Sequence, residues 1–188
     1  MGKPKNAADL DVTAWQKVAT RVDQFFSKVE SQHAEKLACR IACTSCCHPD
    51  LTLTFIEAAI VGVAVDGLPS TDRAAVAKAA EEGSPLCPLL LNSRCSIYES
   101  RPVICRSHGL PIRQDDQVSS CELNFLNGFP EDAILNAGLL SVWLMVADGM
   151  ARKGHGVGAE QRYAIRDLAR LGASLFEREL PISQDVES

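Results

Sequence analysis

The sequence predicts a mainly α-helical protein, with a single domain folded around an irregular, cysteine-rich centre. Three observations support this. Apolar residues recur at steps of three and four in residues 9–38 and again in residues 130–181, which is the spacing of amphipathic helices. Residues 84–129 are broken by proline and glycine and show no such period. All eight cysteines lie within residues 39–121. The predicted parts of the 1–188 domain are therefore an N-terminal helix, a cysteine segment and C-terminal helices.

The N-terminal helix is predicted over residues 9–38 from eight apolar positions that would share one face. These positions are Val12, Trp15, Val18, Val22, Phe25, Phe26, Val29 and Leu37. If the helix continued, the first four cysteines would also share one face. Pro49 would end any such helix at or before His48.

Two shorter helices are predicted after the first four cysteines. Thr54 and Glu57 have the spacing of a capping box, in which the Thr hydroxyl binds free amides and the Glu carboxylate reaches back. That helix should end near Gly67. An alanine-rich helix should then run from Ser70 to Gly83.

The C-terminal region is predicted to hold two further helices. The first is the most apolar of the chain, begins near Ile134 and ends between Gly154 and Gly158. Its apolar positions, with Trp143 read as core, are Ile134, Leu135, Leu139, Leu140, Trp143, Leu144 and Val146. The second should run from about Ala159 to Leu180. The sequence also allows a short β-hairpin, with strands around Ile97 and Val103.

Composition excludes several classes of function. At 188 residues the chain can bury a core without disulfides. Its 19 Lys and Arg against 24 Asp and Glu give a net charge of −5, which argues against a nucleic-acid partner because phosphate binding needs a basic face. No apolar run approaches the roughly 20 residues that cross a bilayer, so no membrane partner is predicted.

The compartment follows from the first residues and from the cysteines. Residues 1–6 are polar and lack the apolar core of a signal peptide, which predicts a cytoplasmic protein. In that reducing compartment cysteines persist as thiols or as metal ligands, so a disulfide framework is disfavoured.

The density of cysteines predicts metal binding. Four of them fall within nine residues, and thiolates are soft, strong ligands for zinc and iron. The ligand candidates are Cys39, Cys43, Cys46, Cys47, Cys87, Cys95, Cys105 and Cys121. Eight thiolates suffice for two four-ligand sites, or for one site and a reactive pair, and the spacing does not decide how they pair.

The spacing favours an iron–sulfur cluster as first choice and zinc as second. Zinc ribbons present pairs of cysteines two residues apart, and among the first four cysteines only Cys43 and Cys46 have that spacing. Cys39, Cys43 and Cys46 instead have the spacing by which radical enzymes hold a cluster with one open iron. Those enzymes need a long barrel of strands and helices that this chain lacks.

One stretch resembles a known family. The segments Cys43-x2-Cys46-Cys47, Leu53-Thr54-x2-Glu57, Cys87-Pro-Leu and Cys95-Ser-Ile-Tyr98-x2-Arg101-Pro102-x2-Cys105-Arg106 resemble bacterial cysteine-cluster proteins described as zinc- or iron-chelating, the CxxCxxCC or YkgJ-like family. The resemblance covers about residues 39–121 and implies metal binding without a defined reaction. The three-residue gap between Cys39 and Cys43 departs from the family pattern.

Residues beside the cysteines suggest a second layer of interactions. Arg101 and Arg106 could donate hydrogen bonds to thiolate or sulfide and offset its charge, or could pair with loop carboxylates. His48 and His108 are alternative metal ligands, although the favoured interpretation of both is an ordinary polar residue in a loop. Tyr98 is expected to be a packed aromatic residue.

We interpret the chain as a metal-binding protein, either in metal handling or as a cluster-bearing redox or accessory factor. Two alternatives stay open. One is a metalloenzyme whose metal keeps a coordination position free for substrate. The other is a thiol-based redox sensor in which Cys46 and Cys47 oxidise reversibly. The sequence leaves enzymatic activity and any protein partner undecided.

Overall fold

The fold is mainly helical, as the sequence predicts. The computed structural model describes residues 7, 10–40, 42–153, 155, 157–158 and 161–179. These residues form helices α1 (Thr13–His33), α2 (Phe55–Asp66), α3 (Ser70–Glu81), α4 (Val103–Ser107), α5 (Ala137–Lys153), α6 (Ile165–Leu171) and α7 (Ser174–Glu179). They also form the short strands β1 (Thr52–Leu53), β2 (Leu90–Leu91), β3 (Arg94–Cys95), β4 (Ile112–Gln114), β5 (Gln117–Ser119), β6 (Leu135–Asn136) and β7 (Tyr163–Ala164).

The N-terminal helix is shorter than predicted. Helix α1 ends at His33, a 3₁₀ turn covers Ala34–Lys36, and Leu37 is extended. Two tertiary hydrogen bonds hold the chain in that conformation: Phe125 N–H donates to the Lys36 carbonyl (2.8 Å), and Ala38 N–H donates to Asn124 Oδ1 (2.8 Å). The predicted start at residue 9 lies outside the described residues.

Helices α2 and α3 match the prediction at both ends, but the predicted cap of α2 forms only in part. The Thr54 hydroxyl makes no hydrogen bond to the free amides of the helix. It donates instead to Glu57 Oε2 (3.1 Å), while the backbone of Thr54 hydrogen-bonds to the Glu57 carboxylate.

Helix α5 begins later than predicted. Leu135 lies in β6, which pairs in parallel with β4, because its N–H donates to the Pro111 carbonyl (2.8 Å). The inward face of α5 packs on α1 and α2. Leu139 and Val146 were expected to pack inward, yet they are 48 % and 58 % exposed. Apolar residues lie on both faces of this helix, so periodicity alone could not orient it.

The predicted last helix is two helices and a strand. Tyr163 lies in β7, antiparallel to Leu53 of β1, and α6 and α7 are separated at Gly172. That residue has φ +59°, a left-handed conformation that glycine adopts without steric cost. Residues 159–160 and 180, at the ends of the predicted helix, lie outside the described residues.

The irregular middle contains two hairpins, neither where short strands were expected. Ile97 lies in a turn and Val103 begins α4. The observed hairpins are β2–β3, turned by Asn92 and Ser93 at positive φ, and β4–β5.

The main core is formed by the helices around this middle. It buries residues such as Trp15 and Val22 of α1, Ile56 and Val61 of α2, and Leu168 of α6. Trp143 is only partly buried, with the Arg21 guanidinium 4.7 Å from its ring centroid. No helix in the described part of the chain combines the length and apolar character needed to cross a membrane.

Candidate metal centre

The first four cysteines lie on a looped segment after α1. Two turns shape it: Cys43 N–H donates to the Arg40 carbonyl (3.0 Å) and Cys47 N–H to that of Thr44 (2.9 Å). His48 N–H donates to the Cys46 carbonyl (3.0 Å). The described residues of this segment form turns and not the continued helix considered above, which would have aligned the thiols on one face.

The next three cysteines are positioned by a hairpin and a short helix. Cys95 lies in β3 opposite Leu90, and Cys87 just precedes β2. Cys105 lies in α4, whose first residue follows Pro102. The hairpin is tied to the first segment because Cys87 N–H donates to the Cys47 carbonyl (2.9 Å). All eight cysteines are free and partly buried.

Four thiols form what we call the inner cysteine group: Cys47, Cys87, Cys95 and Cys105. Burial raises the pKa of Cys87 to about 11 and that of Cys105 to about 12, and it also raises that of Cys95. Negative charge on neighbouring thiols adds to this. Cys95 raises the pKa of Cys87, and Cys87, Cys95 and, to a smaller extent, Cys46 raise that of Cys105. Cys87 and Cys105 likewise raise the pKa of Cys47. Each of these four thiols therefore lies within electrostatic range of at least one other.

The other four thiols form the outer cysteine group: Cys39, Cys43, Cys46 and Cys121. Burial raises the pKa of Cys39, a hydrogen bond from Asn124 lowers it, and charge on the other three thiols raises it again. The Asn124 amide lies 3.2 Å from Cys39 Sγ. Gly109 is packed so closely that a Cβ on it would lie 2.7 Å from the same sulfur.

The two groups meet at Cys46 and Cys47. The Cys47 thiol donates a hydrogen bond to the Cys46 sulfur, which lowers the pKa of Cys46 to about 6 and raises that of Cys47. Positive charge on His108 and His48 also lowers the pKa of Cys46. Without metal, Cys46 is thus the thiol most readily ionised at this boundary and Cys47 keeps its proton.

The donor chemistry of both groups fits a metal such as zinc or iron. Four thiols is the ligand number of a closed zinc site and of a cluster. Within the described residues, however, no three or more His, Cys, Asp or Glu side chains are already placed to hold a metal ion. A bound ion would draw the thiols of a group together, so its binding free energy would also order the segments that carry them.

This cysteine segment is the part of the chain that matches a known family. Residues 38–122 match the CxxCxxCC model, described as "Putative zinc- or iron-chelating domain". The match covers less than half of the 188-residue chain. No curated protein and no solved structure gives a significant match. The family description supports metal binding by the CxxCxxCC segment and covers all eight cysteines, Cys39 included.

The two arginines predicted to support the metal have different surroundings. Arg106 is buried and donates to oxygen atoms: from Nε to the Arg101 carbonyl (2.8 Å), and from its terminal nitrogens to the Glu99 carbonyl and Asp23. Arg101 is stacked over Tyr98, and its charge lowers the pKa of Cys95. Arg101 is thus the better placed of the two to act on a thiolate.

His48, His108 and Tyr98 are exposed or only partly buried. His48 is exposed and His108 is partly buried, and both act on Cys46 through charge. Tyr98 was expected to be packed, but it is 55 % exposed. Its ring lies 3.6 Å from the Arg101 guanidinium, so it contacts a cation instead of the core.

Glu57 is a site residue that sequence reasoning took only for a helix cap. It is 3 % exposed, and its Oε1 accepts the N–H of Val103 (2.8 Å), the first residue of α4. Burial raises its pKa. Glu57 thereby joins α2 to the short helix that carries Cys105. The sequence held two signals for Glu57: its spacing from Thr54, which points to a local role, and its place in one of the segments that resemble the CxxCxxCC family.

Proposed function

We propose that the protein binds two metal ions, zinc or iron, one through the inner cysteine group and one through the outer group. The observation that supports this is the electrostatic coupling among the eight free thiols. It links Cys47, Cys87, Cys95 and Cys105 to one another and Cys39 to Cys43, Cys46 and Cys121, with Cys46 also acting on Cys105. When bound, each ion supplies a positive centre that keeps its thiolates ionised and joins distant parts of the chain.

The contact between Cys46 and Cys47 favours single ions over two iron–sulfur clusters. These consecutive residues serve different groups, and their sulfur atoms are in hydrogen-bond contact. If each group held a cluster, several iron and sulfide ions would have to fit at that shared boundary. If each group held a single ion, only one ion per group would have to fit there. An iron–sulfur cluster is the alternative, and the experiment must distinguish it from single metal ions.

The number of thiols bears on the kind of function. A catalytic zinc usually keeps one coordination position for water or substrate. Four thiols in each group can fill a tetrahedral sphere completely. We therefore place the protein among metal-handling or accessory factors in a reducing compartment such as the cytoplasm, ahead of metalloenzymes.

The test is elemental analysis, acid-labile sulfide and an ultraviolet–visible spectrum on untagged protein purified without oxygen. We expect two zinc or iron ions per chain and no sulfide. A broad band near ~400 nm with iron and sulfide would replace single ions by a cluster. Protein that takes up neither metal, with all eight thiols free to react, would contradict the proposal.

A thiol-based redox sensor is the second candidate, and one observation favours it. In the metal-free protein Cys46 is the thiol with the lowered pKa, and the Cys47 thiol is in contact with it. Low-pKa, accessible thiols are the ones that oxidise first. Dilute hydrogen peroxide followed by mass spectrometry should modify Cys46 ahead of the other seven. Uniform oxidation would count against this candidate.

A further inference from the structure

Three polar groups around the inner cysteine group are buried without a hydrogen-bond partner. The described residues hold five such side-chain atoms: Trp15 Nε1, Ser96 Oγ, Arg101 Nε, His155 Nε2 and Arg166 Nη1. Buried donors are nearly always satisfied, because an unpaired one costs about 1–3 kcal/mol. Ser96 follows Cys95 in the chain, and the two arginines act electrostatically on Cys95 and Cys87.

Arg166 reaches the inner group from α6, outside the CxxCxxCC segment. Its Nη2 donates to the Ser84 carbonyl (2.7 Å), and its Nε lies 3.6 Å from Asp50 Oδ1. Ser84 precedes Cys87 by three residues and Asp50 follows Cys47 by three. The guanidinium therefore lies between the two segments that supply these ligands, with Nη1 buried and free to donate.

Arg101 acts on the same group through Cys95. Its Nη2 is 4.0 Å from Asp23 Oδ1, which is too long for a hydrogen bond, and its side chain is 21 % exposed. The stack on Tyr98 fixes the plane of the guanidinium. Its Nε is left without a partner while Cys95 lies within electrostatic range.

We propose that Arg166 and Arg101 donate hydrogen bonds to thiolates of the inner cysteine group and neutralise its charge when a metal is bound. Four thiolates around a divalent ion carry a net charge of −2, and two guanidinium groups carry +2. This balance is the same for zinc and for ferrous iron. The outer group differs, because the donor that contacts its Cys39 is the neutral amide of Asn124. The inference rests on the proposed function and adds a residue from the C-terminal helices to the metal centre.

The test compares Arg166→Gln, which removes the charge, with Arg166→Lys, which keeps it. Arg170→Gln is the matched control, because Arg170 lies one turn further along α6, is 49 % exposed and pairs with Asp167 (3.3 Å). Cobalt(II) uptake would be followed by its thiolate charge-transfer band, and zinc affinity by competition with a chelator. The outer group of the same molecule serves as internal reference.

We expect Arg166→Gln to weaken inner-group binding about ten- to a hundredfold, the usual cost of losing a partner of a metal ligand. Its charge-transfer band should move to longer wavelength, since the thiolate loses a hydrogen bond. Arg166→Lys should recover most of the affinity, and Arg170→Gln should match wild type. Outer-group binding should not change.

Two results would overturn the inference. One is wild-type affinity and spectrum in Arg166→Gln. The other is an equal loss in the Gln and Lys variants with an unshifted band, which would make Arg166 a purely structural residue. Failure of the proposed function is distinguishable, because the wild-type protein would then bind no metal at all.

Discussion

The backbone N–H of Cys87 donates a hydrogen bond of 2.9 Å to the carbonyl oxygen of Cys47. These residues are 40 positions apart in the chain. The bond places the β2–β3 hairpin against the loop that follows α1, and it does so through backbone atoms that a metal ion does not use. The inner cysteine group is therefore assembled in part before any ion binds.

Single cysteine substitutions should remove one metal ion at a time. We expect Cys105→Ser to abolish binding by the inner group and Cys121→Ser binding by the outer group, leaving one ion per chain in each case. Native mass spectrometry would count the ions, with Ser119→Ala, at an exposed position of β5, as a control that keeps both. Loss of both ions from either variant would show that the eight thiols form one shared centre.

The metal-free protein should lose stability as the pH rises above about 9. The ordinary pKa of a thiol is 9.0, and burial raises it to about 11 for Cys87 and about 12 for Cys105. Between these values the folded state binds more protons than the unfolded state, so the free energy of unfolding falls with rising pH. Cys46 has a lowered pKa in the folded state, so it acts in the opposite direction, but only until the unfolded thiol has also lost its proton near pH 9.

Chemical unfolding of reduced, metal-free protein at pH 8 and pH 10 would measure this effect. Lysine and tyrosine groups titrate in the same range, so a Cys87→Ala variant is needed as reference and should show a shallower pH dependence. Equal slopes for the two proteins would disprove the assignment to Cys87.

Glu57 should stabilise both the fold and the inner group. Glu57→Ala leaves the Val103 N–H buried without a partner, and we expect a loss of about 1–3 kcal/mol in the free energy of unfolding. Because α4 carries Cys105, metal binding by the inner group should weaken as well. Glu57→Gln keeps an acceptor for Val103 and should recover most of both losses.

Urea unfolding and chelator competition would give the two quantities for Glu57→Ala. Glu81→Ala, at an exposed position of α3, is the control and should change neither. If Glu57→Ala were as stable as wild type, the hydrogen bond from Val103 to Glu57 would contribute nothing to the free energy of unfolding.

Gly109 should affect metal binding by the outer group through its close packing as well as through its backbone conformation. Gly109 and Gly128 have nearly the same φ, +99° and +101°, but a Cβ on Gly128 meets nothing within 4 Å, whereas one on Gly109 meets Cys39 Sγ and the Asn124 amide. Both alanine variants should lose about 1–3 kcal/mol through backbone strain. Only Gly109→Ala should also weaken outer-group metal binding.

Zinc affinity and the free energy of unfolding would be measured for both variants. Backbone strain should lower stability equally in the two, so any additional loss of zinc affinity in Gly109→Ala reports on the contact with Cys39. Equal metal affinities in Gly109→Ala and Gly128→Ala would mean that contact with Cys39 has no part in ion binding.

Local signals in the sequence were reliable where local interactions decide the structure. Helices α2 and α3 begin and end as predicted: Pro69 stands between them, and α3 is followed by Gly83, which has a positive φ. The strand of Tyr163 was missed, since pairing with Leu53 overrides the helical pattern of its neighbours. The early end of α1 was missed for the same reason, because hydrogen bonds with Phe125 and Asn124 hold Lys36 and Ala38 outside the helix.

The sequence by itself determined that the protein is mainly helical and that residues 39–121 carry the thiols of a metal-binding segment, because helical periodicity and ligand chemistry are properties of residues near one another in the chain. Only the tertiary structure decided which thiols lie within electrostatic range of one another, and that Glu57 acts on Cys105 and Arg166 on Cys87. Glu57 is 48 positions from Cys105 and Arg166 is 79 positions from Cys87, so contacts between distant elements bring them together. Spacing along the chain limits which thiols can meet, but contacts between distant elements select which ones do.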